Sequence, residues 1–477
     1  MTQFIEKLLL TSMIILLLTI LNGCQKEPDL PNIVFIMADD LGYGDLGCYG
    51  AEKIHTPNID RLADEGMQFT DAHSGSAVCT PTRYGVLTGR YCWRSWLKNW
   101  VLWENMPLLI DITRLTVASM LRQQGYTTAC IGKWHLGWGV ETDHGWDGDV
   151  KPGPLEVGFD YFFGVPHSHN SPDFLKVFME NHRIIGLNPG DDIHDEEVMK
   201  RVRRNLEETA INLSEVVVRF IEENKNRPFF LYYPTTNIHS PITPNERFKV
   251  MSEAGQYGDF VVEFDWAVGE IISALDRLNL TENTLIFVTS DNGGTLEATE
   301  FGHQSNAPWR GSKKQIYEGG HRIPFIVRWP GKVEPGSVCD VTICLTDLMA
   351  TCAAIIQYPL PRDAAEDSYN ILPLLLGQTY EGPIREATVH HSVSGMFAIR
   401  QGKWKLIEGL GNGGPEIGPE TDVSAEGQPK RDTITGDFKD LVYYFPPPPQ
   451  PGAGEPEGQL YDLESDPGET NNLWNEH

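Results

Sequence analysis

Four apolar runs, each followed within a few residues by polar or ionisable side chains, constrain the fold most. The runs at 32–38, 127–131, 229–233 and 285–289 are rich in β-branched and aromatic residues, and helix-like patterns separate them. Near-continuous apolar strands that alternate with helices are typical of an α/β fold with a mostly parallel sheet covered on both faces. A further run at 324–329 predicts another strand. We therefore expect a large N-terminal domain with a mostly parallel sheet sandwiched by helices.

Helices are predicted at 57–65, 115–124, 213–224 and 260–278. The last two show apolar residues at spacings of three and four, which places them on one face of a helix. The second ends at Gly125, a common residue at helix C-termini.

A second region begins near residue 370 and predicts a smaller domain with an antiparallel sheet. Short alternating runs predict its strands, at 388–393, 397–400, 404–407 and 461–463. The stretch 411–457 is rich in Gly, Pro and acidic residues, and we interpret it as a long loop. The predicted domains are therefore 31–370, catalytic, and 371–477, C-terminal.

The N-terminus predicts export. Leu8–Leu21 is an apolar run that is short for a membrane span and suits a signal peptide at 1–23. It ends in Leu-Asn-Gly-Cys, which resembles a bacterial lipobox with Cys24 as the lipidated residue; plain secretion is the alternative. Residues 24–30 then form a tether. We expect a lipoprotein of the periplasm or the cell surface that meets the membrane only through its lipid anchor.

Charge and cysteine content exclude several classes of protein. The 477 residues carry a net charge of −28, which disfavours non-specific nucleic-acid binding because that needs a basic surface. Eight cysteines are present without a C-x-x-C pair, which makes a thiol redox motif or a zinc ribbon improbable. Cys130 lies in an apolar strand, where a buried, inert thiol is the default.

Two of the predicted strand ends carry oxygen ligands. Asp39 and Asp40 follow the first strand, and Asp291 and Asn292 follow the fourth. Functional groups of parallel sheets gather at the carboxyl ends of strands, and three carboxylates with one amide suit Ca²⁺ or Mg²⁺ rather than zinc. Each pair taken alone is more typical of a loop or turn than of a metal site, because Asp and Asn are common turn residues.

The sequence also offers cationic and titratable side chains that we expect to lie near these acids in the fold: Arg83, Lys133, His135, His239 and Lys313. Cations next to a metal would form a site for an anion with several oxygens, such as a phosphate or sulfate ester. The alternative interpretation is solvated surface charge, the usual fate of Lys and Arg.

The segment Cys79-Thr80-Pro81-Thr82-Arg83, followed by Leu-Thr-Gly-Arg at 87–90, resembles the signature of type I sulfatases in the alkaline phosphatase superfamily. A second signature of that family is similar to the stretch 125–137, Gly-Tyr-Thr-Thr-Ala-Cys-Ile-Gly-Lys-Trp-His-Leu-Gly. Further matches occur at 38–45, 158–160, 290–293 and 310–320. The resemblance extends from about residue 31 to the C-terminus and implies an alkaline-phosphatase-like fold.

The resemblance implies that Cys79 is converted to formylglycine (3-oxoalanine) by a formylglycine-generating enzyme. One hydroxyl of the aldehyde hydrate would attack sulfur and give a covalent sulfated intermediate, and the second would expel sulfate. Cys79 would also be a metal ligand, together with Asp39, Asp40, Asp291 and Asn292. The implied metal is Ca²⁺, in preference to Mg²⁺.

The other implied roles fall on the cationic and imidazole groups. Arg83 would steady the formylglycine hydrate, while Lys133, Lys313 and His239 would bind the sulfate. His239 would protonate the leaving alcohol, and His135 would take the proton of the hemiacetal in the second step.

The substrate expected from this combination is a sulfated polysaccharide or its oligosaccharides, such as ulvan, another marine glycan or a glycosaminoglycan. A local basic patch must then overcome the acidic net charge. Its candidate cations are Arg90, Arg94, Lys98, Arg310, Lys314 and Arg322.

Two alternative functions stay open at this point. One is a phosphonate or phosphodiester hydrolase of the same superfamily. The other is a catalytically silent glycan-binding lipoprotein, which applies if Cys79 is never converted. Fold class alone does not separate these possibilities.

Overall fold

The computed structural model describes residues 30–141, 145–414, 451–452 and 454–477. Contacts between residues divide the chain into two units, Met1–Pro31 and Asn32–His477, and the fold below is that of the second. The domain boundary at 370/371 stays a prediction. Three predicted segments lie wholly or largely outside the described residues: the signal peptide 1–23, the tether 24–30 except its last residue, and 415–450 with 453 of the predicted loop.

The strands form one large sheet and two small ones. In chain order they are β1 (Asn32–Ala38), β2 (Met67–Phe69), β3 (Ala72–His73), β4 (Thr127–Lys133), β5 (Tyr161–Val165), β6 (Met179–Glu180), β7 (Arg183–Ile184), β8 (Phe229–Pro234), β9 (Thr284–Ser290), β10 (Phe325–Arg328), β11 (Ser337–Cys339), β12 (Ile343–Cys344), β13 (Thr388–His391), β14 (Phe397–Gln401), β15 (Trp404–Ile407) and β16 (Gln459–Asp462).

The α-helices of the described residues alternate with these strands. They are α1 (Pro57–Asp64), α2 (Cys79–Thr88), α3 (Val117–Gln123), α4 (Glu196–Val202), α5 (Thr209–Asn224), α6 (Gly255–Arg277), α7 (Glu318–His321), α8 (Leu348–Ile355) and α9 (Leu372–Leu375). The predicted helices therefore exist, although α5 begins one turn before residue 213 and α6 begins five residues before 260.

The large sheet has ten strands in the order β11-β2-β10-β9-β1-β8-β4-β5-β6-β7. Its central strands β9, β1, β8, β4 and β5 are mutually parallel. The predicted mostly parallel sheet is thus confirmed. The run at 324–329 does form a strand, but β10 is antiparallel to β9, so its end does not join the carboxyl edge of the sheet.

Both faces of the sheet are buried. Every residue of β1, β8 and β9 is buried, which is the burial pattern of a parallel sheet covered on each side. On one face, Val34 and Ile36 of β1 share a core with apolar residues of α1, α5 and α6. The apolar stripes of α5 and α6 are therefore explained by packing on the sheet.

The C-terminal strands form a separate antiparallel sheet in the order β13-β14-β15-β16, which confirms the predicted antiparallel C-terminal sheet. Ala398, Ile407 and Tyr461 of this sheet pack with Ile316 and Tyr317, just before α7. The C-terminal sheet thus packs against the segment that leads into α7.

A buried cluster of ions joins the C-terminal sheet to α7. Lys405 of β15 lies 3.1 Å from Glu318 Oε1 and 2.8 Å from Glu469 Oε1. The cluster continues through Arg322, whose guanidinium is 3.2 Å from both Glu318 and Asp71. With Arg400, which pairs with Asp71 and Glu318, three carboxylates face three cations.

Three imidazoles, of His73, His321 and His390, converge beside this cluster. Arg400 lies 2.8 Å from His73 Nε2, and Lys405 lies 3.2 Å from His321 Nε2. Because these side chains are cationic, a metal ion would be repelled there. We interpret the imidazoles as neutral parts of the packed interface, and burial lowers the pKa of all three.

The cysteines and membrane spans can be assessed only over the described residues. The seven cysteines among them, Cys130 included, are free. Within the same part of the chain, no helix combines the length and the apolar character that crossing a bilayer requires.

Lys405→Met tests the ion cluster. We expect a loss of about 3–5 kcal/mol in the free energy of unfolding, because the buried Glu469 loses the cation it pairs with and Glu318 loses one of three. The control is Lys403→Met, which breaks a partly buried pair with Asp462 and should cost much less, because the Lys403 ammonium stays in contact with solvent that screens the pair. Thermal unfolding of the two variants measures the difference, and equal losses would contradict the assignment.

Candidate active site

Register in the parallel sheet brings the predicted acids together. Ala38 of β1 is paired with Ser290 of β9, so Asp39 and Asp291 leave the sheet side by side. Lys133 is the last residue of β4, which runs two residues further than predicted. These groups meet at the carboxyl edge, as expected of a parallel sheet.

Helix α2 brings Cys79 and Arg83 to the same edge. Cys79 is the first residue of α2, and Arg83 follows one turn later on the same face. Both are buried, and the N-terminal end of a helix favours negative charge. α2 ends at Gly89, whose φ of 63° is a left-handed conformation that glycine adopts without strain.

Three carboxylates are paired with three cations in this site. Lys133 Nζ lies 2.7 and 2.9 Å from the two carboxylate oxygens of Asp39. Arg83 donates from Nε and an Nη atom to Asp291 Oδ2, at 3.1 and 2.6 Å. The third pair is formed by Lys313 Nζ and Asp40 Oδ2, at 2.6 Å. The negative and positive charges of these six side chains therefore cancel.

Asp40 holds the loop that follows β1 in a tight conformation. Its φ is 71°, which is unusual for a residue with a side chain. Its backbone N–H donates to Asp291 Oδ1 at 3.2 Å, and Asn292 Nδ2 donates to its Oδ1 at 2.9 Å. A strained conformation fixed by its neighbours is a common property of functional sites.

The ligand set fits a hard divalent cation. Single ligand atoms of Asp39, Cys79 and Asp291 all lie within 4.8 Å of one another. Asn292 Oδ1 is buried and has no hydrogen-bond partner among the described residues. A buried amide oxygen without a donor is costly, and a cation held by oxygen ligands would satisfy it.

The environment of His135 prepares one ring nitrogen to accept a proton. Its Nε2 donates to the carbonyl oxygen of Leu102 at 3.2 Å, and its Nδ1 lies 3.4 Å from Cys79 Sγ. Burial, and then His167, Lys133 and Arg83, hold its pKa well below the usual value. The ring is therefore neutral at pH 7, with the Nδ1 lone pair directed at Cys79.

His239 presents its other ring nitrogen to the site. Its Nδ1 donates to the carbonyl oxygen of Ser240 at 2.6 Å, and its Nε2 lies 3.9 Å from Asp40 Oδ2. Burial, and then Lys313, lower its pKa to about 3, while Asp40 opposes this shift. A proton on Nε2 would need additional negative charge nearby, which an anionic substrate supplies.

The acids respond differently to the same burial. Burial raises the pKa of Asp291 to about 6, and the neighbouring Asp39 adds to the increase while Arg83 opposes it. Burial also favours the neutral form of Asp40, but Lys313 and His239 outweigh it and hold that pKa well below the usual value. A further cation beside Asp291 would favour its ionised form.

The structure brings together all of the predicted catalytic, substrate-binding and metal residues, whereas Cys24, the predicted lipidation site, lies outside the described residues. The residues brought together are Asp39, Asp40, Cys79, Arg83, Lys133, His135, His239, Asp291, Asn292 and Lys313. Proximity does not test their individual roles, which stay predictions.

One residue of the site, His167, was missed by the sequence analysis. It follows β5, and its ring centre is 4.4 Å from that of His135 in an edge-to-face arrangement. Its Nε2 shares the Leu102 carbonyl with His135, at 3.1 Å. The apolar run at 161–165 followed by a polar loop was the signal that could have revealed it.

Comparisons with known proteins agree with this geometry. The family model described as Sulfatase matches residues 31–358. An N-acetylgalactosamine-6-O-sulfatase of Bacteroides thetaiotaomicron is 35% identical and covers 96% of this chain and 94% of its own length. Human arylsulfatase A is 34% identical, with 93% and 83% covered.

A solved structure from work on glycosaminoglycan metabolism by Bacteroides thetaiotaomicron is also similar. It has a TM-score of 0.80 and 35% identity, and the alignment covers 94% of this chain and 96% of that one. Both the fold class and the resemblance expected from the sequence are confirmed. The chain belongs to the sulfatase family and is an enzyme that hydrolyses sulfate esters.

Proposed function

We propose that this enzyme is an exported, formylglycine- and calcium-dependent sulfatase that removes sulfate from a sulfated polysaccharide or its oligosaccharides. The observation that carries the proposal is Cys79, buried at a helix N-terminus with its Sγ facing His135 Nδ1. The family generally uses formylglycine and a divalent metal.

The first sugar to test is N-acetylgalactosamine 6-sulfate. A relative named for this substrate is 35% identical over nearly the whole chain, and the human enzyme named N-acetylgalactosamine-6-sulfatase is 33% identical. Ulvan and other sulfated marine glycans are the further candidates.

Formylglycine hydrate at position 79 would supply one hydroxyl to attack sulfur and a second whose deprotonation releases sulfate. Arg83 lies one helical turn away and is fixed by Asp291, so it would orient the hydrate. His135 Nδ1 would take the proton of the second hydroxyl, since its lone pair faces position 79.

Lys133 and Lys313 would bind the sulfate oxygens. His239 would bind them as well and, from Nε2, donate the proton that the leaving alcohol needs. The anionic ester supplies the negative charge that favours protonation of this buried imidazole, whose pKa is otherwise about 3.

The calcium ligands in this proposal are Asp39, Asp40, Asp291, Asn292 and residue 79. The ion would polarise the sulfate oxygens and the attacking hydroxyl. Ca²⁺ is preferred to Mg²⁺ because it takes several carboxylate and amide oxygens in flexible geometry.

Export and maturation complete the proposal. Cleavage after residue 23 would leave Cys24 for lipidation and place the enzyme in the periplasm or at the cell surface, anchored only by lipid. A formylglycine-generating enzyme would convert Cys79. Mass spectrometry of the N-terminal peptide and of the Cys79 peptide from the producing cell tests both steps.

Cys79→Ala tests the nucleophile. Turnover of 4-nitrophenyl sulfate should fall to background while the melting temperature stays close to that of the wild type, because a small buried side chain is replaced by one of similar size. Turnover above background would contradict the nucleophile assignment. Parallel assays with 4-nitrophenyl phosphate and a phosphonate ester test the hydrolase alternative, and an unconverted, inactive wild type would favour the glycan-binding alternative.

Asn292→Ala tests the metal site. We expect calcium binding measured by calorimetry to weaken at least tenfold, in line with the losses seen when metal-site residues are removed. The control is Asn370→Ala, an exposed asparagine that should leave the calcium affinity unchanged. Unaltered affinity in Asn292→Ala would show that this residue is not a ligand.

His239→Ala tests the proton donor. The loss in kcat should be about 10²–10⁴-fold for a sugar 6-sulfate, the range for general acid catalysis. The loss should be much smaller for 4-nitrophenyl sulfate, because nitrophenolate leaves without a proton. Equal losses for the two substrates would assign His239 to sulfate binding alone.

A further inference from the structure

The sequence offered six cations for a basic patch, and the structure shows that five of them have partners. Three of them form ion pairs: Arg90 with Glu366, Arg94 with Asp367, and Arg322 with Asp71 and Glu318. Lys98 donates to backbone carbonyl oxygens. Arg310 donates to the carbonyl of Glu469 and lies over the Tyr317 ring. These five cations are already engaged by contacts within the protein.

Lys314 is the exception. Among the described residues, no carboxylate forms an ion pair with Lys314 and no acceptor receives a hydrogen bond from its Nζ. Its side chain is half-buried. A cation that loses water without gaining a partner is destabilised, so it is a good receptor for an anion.

The backbone fixes Lys314 beside the active site. Its N–H donates to the carbonyl oxygen of Ala77 at 2.8 Å, two residues before Cys79, and its own carbonyl accepts from Val393 at 2.9 Å. Its φ of 79° is a left-handed conformation that is costly for a lysine. The preceding residue, Lys313, contacts Asp40.

Electrostatics agree with this position. Burial, and then Lys313, lower the pKa of Lys314, while Asp40, Glu297 and Cys79 oppose the shift. These influences agree with the place of Lys314 beside the active site, which its backbone hydrogen bond to Ala77 fixes. Lys314 forms no ion pair with Asp39, Asp40 or Asp291, the carboxylates that pair with Lys133, Lys313 and Arg83.

We propose that Lys314 binds a second anionic group of the substrate, a carboxylate or another sulfate on the same or the adjacent sugar, in addition to the sulfate that is cleaved. The inference rests on the proposed action on sulfated glycans. It gives an enzyme with a net charge of −28 a local contact for a polyanion, and it makes Lys314 a determinant of specificity.

Lys314→Gln tests the inference on four substrates. Two carry a second anion: an unsaturated uronic acid–N-acetylgalactosamine 6-sulfate disaccharide and N-acetylgalactosamine 4,6-disulfate. Two carry none: N-acetylgalactosamine 6-sulfate and 4-nitrophenyl sulfate. KM should rise about tenfold for at least one of the first two, the effect of losing a charge-assisted contact, and less than threefold for the others, with kcat little changed.

The pattern identifies the anion. A rise confined to the disaccharide assigns a carboxylate, and a rise confined to the disulfate assigns a second sulfate. A change below twofold for both, or an equal rise for all four substrates, would overturn the proposal.

The control is Lys332→Gln, which removes the same charge from an exposed lysine. Lys332 follows β10, which runs away from the carboxyl edge of β9, so this variant should match the wild type on every substrate. Equal effects of the two variants would show that only the net charge matters.

The two sugars that carry a second anion, the disaccharide and the disulfate, are also measured as competitive inhibitors of 4-nitrophenyl sulfate turnover. If the wild type cleaves the aryl sulfate but no sugar sulfate, the proposed glycan substrate fails. The inhibition constants of Lys314→Gln and wild type still decide whether Lys314 binds the second anion.

Discussion

The requirement that buried charges be compensated organises this active site. Asp39, Asp40 and Asp291 leave the central strands at one edge of the sheet, where water cannot solvate them. Such a cluster persists only if opposite charges are brought to it. Lys133 comes from β4, Arg83 from α2 and Lys313 from a later loop, so this compensation ties distant parts of the chain together.

This balance has a consequence for catalysis. Since the six side chains cancel, a divalent cation bound to the carboxylates would leave the site with two excess positive charges. One would match the sulfate monoester and the other the negative charge that develops on the attacking oxygen. The buried side-chain oxygen of Asn292, which has no hydrogen-bond partner among the described residues, fits such an ion as well.

The C-terminal sheet supports the same site through α7. Gly293, next to Asn292, donates to the carbonyl oxygen of Gly320 at 2.9 Å, and a side chain at Gly293 would collide with the carbonyl of Gly319. Both of those glycines lie on α7, which Lys405 of the C-terminal sheet holds through Glu318. The ion cluster around Lys405 therefore anchors α7, which contacts the loop that carries Asn292.

Much of this could be predicted from the sequence, because hydrophobic burial and strand-end chemistry leave local patterns. The apolar runs specified the parallel strands, and Asp39-Asp40, Lys133 and Asp291-Asn292 were recognisable because they directly follow or end those runs. The motif around Cys79 identified the family. The antiparallel direction of β10 was not encoded in its own composition, since direction depends on the partner strand.

Tertiary structure decided which of the candidate cations have partners among the described residues. From the sequence, Lys314 and Arg322 are equally good candidates for an anion-binding cation. In the fold, Arg322 pairs with Asp71 and Glu318, which lie far apart in the chain. The ring nitrogen that His135 directs at Cys79 likewise depends on the Leu102 carbonyl. The sequence by itself determined the fold class and the reactive groups, because burial and short motifs are local. Only the tertiary structure decided pairing, proton position and the cation left for a second anion, because each depends on groups that only folding brings into contact.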